Sequence, residues 1–570
     1  MEFSSIPLPW KHIAVTIVLY FASLAVYRLF WHPLARFPGS KLAAVTRYVE
    51  AYYDLVRNGQ YTFKIAEMHE KHGPIIRISP HELHINDPSF FETLYSRDGR
   101  WDKYDWSYNA FGAELSTICA LDHYVHRRRR APLGTFLSRG NVSKKQDIVS
   151  RLVSKLCRRL DDFAESSRGT DAARLKLSPA ISSFTRDVAT EFLFGESHNN
   201  LDHPEFNPGL TTVLQASGGI WRISKHIRWY GRVMKSLPLS LVERLSDDNG
   251  KAFLVFLKDM IRLTSDIHSA SANKTLSADS PHTLVNEILE SDLPSSDKSF
   301  ERCFDEVITV SSAAFETTAH SIRVILYHVY RDEDILRRLR DELAAARARS
   351  PTQSLKLAEL EQLPYLTAVL TEGLRLAPAV ATRQARVAPD RDLVYKTWTI
   401  PAGTPVGMTT ILMHQDPELY PNPEQFNPER WVDVNERRKA EKTFAPFSRG
   451  ARICVGMHLA WAELYMLIAE IISRYDLSFD AAAYDDIKWS SDQFIIGTSG
   501  KGGLPTTVKK VEAMDFGTTD NLERSRPCEL RQKLLIDRGC QKIAIAGLGG
   551  IGKKQIALEL AQSVKRVGVE

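Results

Sequence analysis

Between Phe444 and Leu464 the chain reads FAPFSRGARICVGMHLAWAEL, a loop interrupted by Gly450 and Gly456 that carries one cysteine, Cys454, just before a strongly helical run. A lone thiol is ordinarily a small core residue. The neighbours of this one point elsewhere. A helix beginning near Met457 puts Cys454 at a helix N-terminus, where free N–H groups and the helix dipole favour a thiolate. Arg449 and Arg452 add positive charge, and the two glycines remove side chains, as expected where backbone approaches a flat, bulky partner closely. A thiolate held this way is a nucleophile or a metal ligand. His458, four residues on, keeps a Cys/His hydrolase open, although no asparagine or nucleophile-elbow signature supports it.

The chain has 570 residues, 44% of them hydrophobic, enough to fill the core of one large domain or several ordinary ones. Its 74 basic and 69 acidic residues leave a net charge of +5, too small an excess to suggest a nucleic-acid partner. Six cysteines (119, 157, 303, 454, 528 and 540) form no CxxC pair, so neither a disulfide framework nor a zinc site is indicated, and a reducing compartment is expected. From about residue 40 to 510 helical periodicity dominates, as in RLVSKLCRRLDDFAES, FDEVITVSSAAFETTAHSIRVILYHVY and EDILRRLRDELAAARAR. Strand-like pieces are short. PIIRISPHELHI, LVYKTWTIPAGTPV and DQFIIGTSGKGGLPTTVKKV each read as a small hairpin bent at proline or glycine. The fold class is therefore mainly α with minor β. Ser-rich loops are expected around 269–281 and 291–299, and a boundary near 510.

The N-terminal run HIAVTIVLYFASLAVY, His12 to Tyr27, is uncharged apart from its histidine, and with Pro7 to Trp10 it approaches the ~20 residues of a spanning helix. Arg28, Arg36, Lys41 and Arg47 follow it and only Lys11 precedes it, which leaves the downstream chain in the cytosol. A cleaved signal peptide is the alternative. Its n-region would be weakly basic, and bulky Tyr27, Leu29, Phe30 and Trp31 would crowd the cleavage zone. Pro33, Pro38 and Gly39 then turn the chain into a stiff hinge.

Phe447, Gly450, Arg452, Cys454 and Gly456 spell F-x-x-G-x-R-x-C-x-G. With these residues, the chain from the anchor to about residue 510 resembles a microsomal cytochrome P-450, most like fungal secondary-metabolism members. The resemblance implies the corresponding fold behind one N-terminal transmembrane helix. It makes Cys454 the axial thiolate of the iron of haem b, whose electron donation favours O–O cleavage, and pairs Arg452 with a haem propionate. EGLR and NPERW supply Glu372, Arg375 and Arg430, by resemblance a structural cluster supporting the haem loop. E-x-x-R alone is weak, because most such pairs are surface ion pairs. In HRRRRAPL, His126 stands where the family commonly has tryptophan, and Arg130 at its arginine. Both could donate to propionates, as could Arg386 in TRQARVAPD; Arg127, Arg128 and Arg129 read as solvated.

Ala313, Ala314, Glu316 and Thr317 in SSAAFETTAHS align with the family's A-G-x-[DE]-T. By that alignment Thr317 supplies the oxygen-site hydroxyl, bonded one turn back to open a groove, and Glu316 the proton relay. Ala314 departs from the commoner glycine and narrows the groove. The pocket would draw on Ala313, on APAVATR from Ala377, and on Phe494 and Ile495, small and apolar groups suited to a lipophilic substrate such as a terpenoid or polyketide. Electrons would come from NADPH through an acidic reductase, docked on Glu436 to Lys442 with Arg449, a segment that reads equally well as a solvated charge run. The implied location is the endoplasmic reticulum membrane, single-pass, with the catalytic domain cytosolic. The expected domains are the anchor (1–30), the monooxygenase (31–510) and an extension (511–570).

In that extension GLGGIGKK, Gly547 to Lys554, resembles the phosphate loop of nucleotide-binding ATPases. Lys553 would reach phosphates, but Lys554 replaces the Ser or Thr expected on magnesium, and the sequence ends within one further helix. It reads as a truncated fragment, a fusion remnant or a gene-boundary error. The competing function is a nucleotide-binding signalling or scaffold protein with a non-catalytic helical domain.

Overall fold

Apolar N-terminal residues form α1 (Trp10–Val26), continued by a π-helical turn, Tyr27–Trp31. The stretch His12–Trp31 is unburied and long and apolar enough to cross a membrane. Thr16 within it returns its hydroxyl to His12 O at 2.8 Å, so that hydroxyl hydrogen is satisfied within the helix. Turns follow from His32, where the prolines predict a break. The computed structural model describes residues 10–166, 174–273, 280–350 and 354–511. The phosphate-loop-like segment lies outside them.

The main helices beyond α1 are α2 (His123–Phe136), α3 (Gln146–Ser166), α4 (Leu177–Phe194), α5 (Pro208–His226), α6 (Asp248–Ala272), α7 (Phe300–Arg331), α8 (Glu333–Arg349), α9 (Pro364–Leu376) and α10 (Met457–Arg474). The three periodic runs quoted above lie in α3, α7 and α8. Helix α7 is the axis. Ser299 caps it by accepting Arg302 N–H, and Asp332 ends it while capping α8 through Asp334 and Ile335 N–H. Every residue from Thr318 to Tyr327 is buried, as befits a helix surrounded by others, here α4, α6, α9 and α10. The α7–α9 contact is tight enough to require glycine: a Cβ on Gly373 would lie 2.1 Å from Ile325 Cγ1. The loop expected at 269–281 begins later than its serines suggest, because α6 runs on to Ala272.

Strands β1 (Ile75–Ser79), β2 (Glu82–Ile85), β3 (Asp102–Lys103), β4 (Arg386–Val387) and β7 (Pro405–Gly407) form one sheet in the order β1-β2-β7-β4-β3, with only β2 and β7 parallel. The hairpins expected at 75–85 and, as β5 (Leu393–Tyr395) and β6 (Trp398–Ile400), at 393–400 are present. The third divides. Strands β9 (Ser491–Gln493) and β10 (Ile495–Gly497) pair across Phe494, whereas β11 (Pro505–Lys510) joins β8 (Tyr475–Phe479) and Leu175–Lys176. Asp486 turns the chain between them by accepting Gly502 and Leu504 N–H at 3.0 and 2.8 Å.

A buried ion cluster fastens the end of α5. Lys225 Nζ lies 3.0 Å from Glu50 and 2.5 Å from Asp54, and Arg383 bridges Glu50 at 2.8 Å and Glu82 at 2.6 Å. Removing one member would strand a buried charge.

Replacing Gly373 by alanine is expected to overpack the α7–α9 contact and cost about 1–3 kcal/mol, read as a lower urea midpoint at unchanged denaturant slope.

Candidate functional site

The loop before α10 closes on itself where Cys454 N–H donates to Phe447 O at 2.9 Å, and Phe447 packs near Trp461 with ring centroids 6.1 Å apart. Gly450 has φ +73°, and a Cβ there would meet Tyr95 O at 2.3 Å and Ser96 O at 2.6 Å. The chain's own backbone therefore demands a glycine at this position. Gly456 is the opposite case: a Cβ there would meet nothing within 4 Å. The Cys454 sulfur is accessible, yet burial dominates its titration and pushes the thiol up, against N–H donation from Gly456 and Met457 and the charge of Arg130. Cys454 thus presents exposed surface although burial dominates its titration. A second such strip occurs on α7, where Val310, Ala313, Ala314 and Thr317 stay accessible at helical spacing while Phe315, Thr318 and Ala319 are sealed. Thr317 donates its hydroxyl to Ala313 O at 2.8 Å, the one-turn-back bond the sequence implies.

Near Cys454 the structure gathers basic groups. Arg452 donates to Ala120 O and Leu121 O at 2.8 Å each and leaves Nε without a partner. Among the described residues Arg386 hydrogen-bonds only carbonyls, Gln384 O at 3.2 Å and Ala385 O at 3.4 Å, and lies over the Tyr95 ring at 5.0 Å. His126 is buried, its pKa driven far down by burial and then by Arg452, Lys103, Arg130 and Arg386. Burial lowers Arg130, and burial followed by Arg386 lowers Arg452 to about 9. Lys103, which sequence reading missed, belongs to the same group. Among the described residues none of the five forms an ion pair; the nearby carboxylates Asp102 and Asp122 are held by Arg100 at 3.0 and 2.9 Å. Such a cluster attracts an anion with more than one charge.

The expected structural trio is fully assembled. Arg375 grips Glu372 with two bonds, 2.9 and 2.8 Å, and Arg430 Nε lies 3.4 Å from the same carboxylate. Trp431 Nε1 and Asn427 N–H add bonds of 2.8 and 2.9 Å. Its link to the cysteine loop is His414, also missed from sequence. One ring nitrogen bonds Arg375 O at 3.0 Å and the other accepts Ala445 N–H at 3.0 Å, while burial lowers its pKa to about 3 and keeps the ring neutral.

Other expectations are modified. Glu316 has no hydrogen bond to Thr317 among the described residues; successive side chains on a helix diverge by about 100°. Its carboxylate meets Arg323 at 3.0 Å and Gln215 at 3.2 Å. Burial would raise its pKa, but Arg323, Ser182 and Arg186 bring it below the ordinary value, and Oε1 stays unpartnered. Arg128 and Arg129 are not simply solvated, since both pair with Asp297, at 3.2 and 2.8 Å. In the run Glu436 to Lys442, Lys439 pairs with Glu436 and Arg437 with Glu441, and Arg449 turns to Glu92 and the Phe444 carbonyl, while Arg438 and Lys442 form no ion pair among the described residues. Phe494, in the β9–β10 turn at φ 71°, packs edge-on against Phe111 at 4.7 Å and near Trp221 at 5.4 Å. Glu50, Asp54 and His226 lie close enough together to hold a metal ion, but the Lys225 ammonium already sits against both carboxylates.

The cytochrome P-450 family model matches residues 51–498. A cytochrome P-450 monooxygenase of Cochliobolus heterostrophus is 38% identical over 477 residues, covering 82% of this chain and 89% of the relative. A tryptophan 6-hydroxylase of Fusarium equiseti is 36% identical over 490 residues, 85% and 93% of the two chains. An N-acetyltryptophan 6-hydroxylase of Emericella nidulans is 35% identical over 492 residues, 85% and 94%. With the cysteine loop, the basic cluster and the carboxylate–guanidinium trio in one continuous match, the chain belongs to the cytochrome P-450 family of haem-dependent monooxygenases.

Proposed function

We propose that this chain binds haem b through Cys454 and oxidises a lipophilic small molecule, taking electrons from NADPH through a reductase. The observation that carries the reading is an exposed cysteine just before α10 beside four buried bases, Lys103, His126, Arg386 and Arg452, and the half-buried Arg130, none of them ion-paired to a carboxylate among the described residues. Haem fits both features: its iron takes a thiolate, and its two propionates would neutralise bases that otherwise repel one another. Arg452, Arg130, Arg386 and His126 would hold those carboxylates. Phe447, Gly450 and Gly456 shape the loop, Gly456 leaving open space beside the sulfur. Bound there, haem supplies the oxygen-insertion chemistry.

The chain's own part is to position, exclude water and manage protons. Thr317, anchored to Ala313 O, keeps two lone pairs free to receive a proton at the accessible strip of α7. Glu316 is an ionised relay whose free Oε1 takes up a proton before passing it on. Glu372, Arg375 and Arg430 fix the loop through His414.

The substrate is a terpenoid or polyketide intermediate of fungal secondary metabolism, hydroxylated or epoxidised. The apolar strip on α7 and the small residues Ala379 to Ala381 support a lipophile. A second reading, hydroxylation of an aromatic ring, is favoured by the aromatic contacts of Phe494 and by the two tryptophan-type hydroxylases among the relatives. Residues 1–30 anchor the protein in the endoplasmic reticulum membrane, residues 31–510 face the cytosol, and 511–570 are an extension without part in oxidation. Feeding both substrate types to membranes with reductase, and detecting added oxygen by mass, separates the two readings.

Reduced protein under carbon monoxide is expected to show the thiolate-type Soret band, and Cys454→Ala to lose it; a band unchanged in that variant would end the ligand assignment. No band in wild-type protein together with tight ATP binding would favour the nucleotide-binding alternative. Thr317→Ala is expected to keep the band while product per NADPH falls by about 10-fold. Glu372→Gln leaves Arg375 buried and unpaired, a cost of about 3–5 kcal/mol, seen as loss of folded holoprotein.

A further inference from the structure

We propose that a groove at the foot of the membrane-crossing stretch binds the phosphate of an anionic phospholipid through His32, His81 and Tyr104. The inference rests on the reading of residues 1–30 as a membrane anchor and goes beyond it. The stretch long and apolar enough to cross a membrane ends at Trp31, and His32 is the next residue. Phe30 and Trp31 are 71% and 73% exposed, aromatic rings of the kind that sit at headgroup level. Here the chain leaving the span, the β1–β2 turn, the residue after β3 and the loop between β6 and β7 line a groove of about 440 Å³, a size suited to a small ligand. Pro33, Pro401 and Pro405 give it apolar walls.

The three polar side chains of this groove are donors without acceptors. His32 Nδ1 accepts Leu34 N–H at 3.0 Å, so the neutral ring carries its hydrogen on Nε2. Tyr104 accepts an N–H of Arg47 and keeps its own hydroxyl hydrogen. Among the described residues neither that hydroxyl, nor His32 Nε2, nor the ring of exposed His81, 5.4 Å from the His32 ring, has an acceptor. The charged groups acting on the two rings, Arg28, Arg47 and Arg77, are all bases. Arg47 is paired with Glu50 at 3.1 Å. Arg28 and Arg77 form no ion pair among the described residues: Arg28 donates to Val45 O at 2.6 Å, Arg77 to Arg28 O and Pro80 O at 2.7 and 2.8 Å, and each leaves Nε unpartnered. Burial, then Arg77, His81 and Arg28, lowers His32 to about 4 and keeps the ring neutral at neutral pH. The ligand that answers free donors in a field of unbalanced guanidinium charge is an anion rich in acceptor oxygens. Position beside the span makes it a lipid phosphate, the anion held at that depth.

Specific donors and bulk charge make different demands, and the test separates them. Full-length protein in neutral detergent is titrated at neutral pH with dioctanoyl phosphatidic acid, dioctanoyl phosphatidylcholine and inorganic phosphate. Phosphatidic acid is expected to saturate one site, with phosphatidylcholine about 10-fold weaker. The double variant His81→Leu with Tyr104→Phe removes two donors and no charge at this pH, and is expected to bind phosphatidic acid about 10-fold more weakly. Lys41→Gln removes a full charge from the exposed linker outside the groove and is expected to bind as wild type does. Equal phosphatidic acid affinity in wild type and double variant would overturn the proposal, as would a loss in Lys41→Gln as large as in the double variant. Inorganic phosphate binding as tightly as phosphatidic acid would also overturn it, making the groove a site for a free anion. If the double variant does not fold, Tyr104→Phe alone, which keeps the ring, takes its place with an expected loss of about 5-fold. Wild-type protein that fails to float with phosphatidylcholine vesicles would instead remove the anchor reading, a result on which the detergent titration does not depend.

Discussion

One carboxylate organises the route from the core to the cysteine. Glu372 is completely buried and receives five donors: two from Arg375 and one each from Arg430, Trp431 and the Asn427 backbone. A buried ionised carboxylate is tolerable only when its lone pairs are filled. Filling them pulls together residues more than fifty positions apart. Arg375 then spends two of its three remaining N–H groups on His414 O and Gln425 O, and His414 passes the constraint to the loop by accepting Ala445 N–H. Phe444, stacked on the His414 ring at 5.7 Å and edge-on to Trp431 at 4.8 Å, closes the same path with apolar contact. The sulfur's position thus follows from satisfying a carboxylate on another helix.

The protein treats buried charge in two opposed ways. Around Glu372, and around Glu50, Asp54, Lys225 and Arg383, acids and bases meet within hydrogen-bond distance, and the chain needs nothing from outside. Around Lys103, Arg386 and Arg452 the bases meet backbone carbonyls and tyrosine rings, and no carboxylate among the described residues. Folding such a group costs free energy, because neutral carbonyls compensate lost hydration only in part. The tightness of α7 against α9 at Gly373, and of the loop against Tyr95 at Gly450, shows where packing compensates elsewhere. A structural ion cluster and a binding site are told apart by whether the charges balance.

Helices were legible in the sequence because their signal is local. The runs of α3, α7 and α8 carry their period in their own residues, and the cysteine loop carries spacing that few other structures need. The trio also came through, since Glu372, Arg375 and Arg430 sit in two short motifs. Lys103 and His414 did not. WDKYDW and ILMHQD have no distinctive spacing, and each residue gains its meaning only from a partner in another element, Arg386 across a strand pair or Ala445 in a loop. The third hairpin failed for a related reason: PTTVKK alternates as any half-exposed strand does, and its true partner, Tyr475–Phe479, follows a helix some thirty residues earlier. Nor does a sequence say which glycine faces open space and which a carbonyl, as Gly456 and Gly450 show.

Glu316 illustrates how a local motif leaves the direction of a side chain open. Its neighbour Thr317 lies on the accessible strip, and one residue of helix turns the carboxylate toward α4 and α5. There Arg323 holds one oxygen and leaves the other free in a buried place. A carboxylate fully paired would be inert, and one fully unpaired would take up a proton and stay neutral. Half-paired, it remains ionised yet keeps an acceptor site, so moving a proton through it requires rotation of one side chain and no break in the helix. Gln215, which donates to the paired oxygen, belongs to α5, and the ion cluster at Lys225 fastens the end of that same helix. The stiffness of that distant cluster therefore bears on the freedom of the proposed relay: a loosened α5 would release Gln215 first, leaving the carboxylate to Arg323 and the α4 groups Ser182 and Arg186.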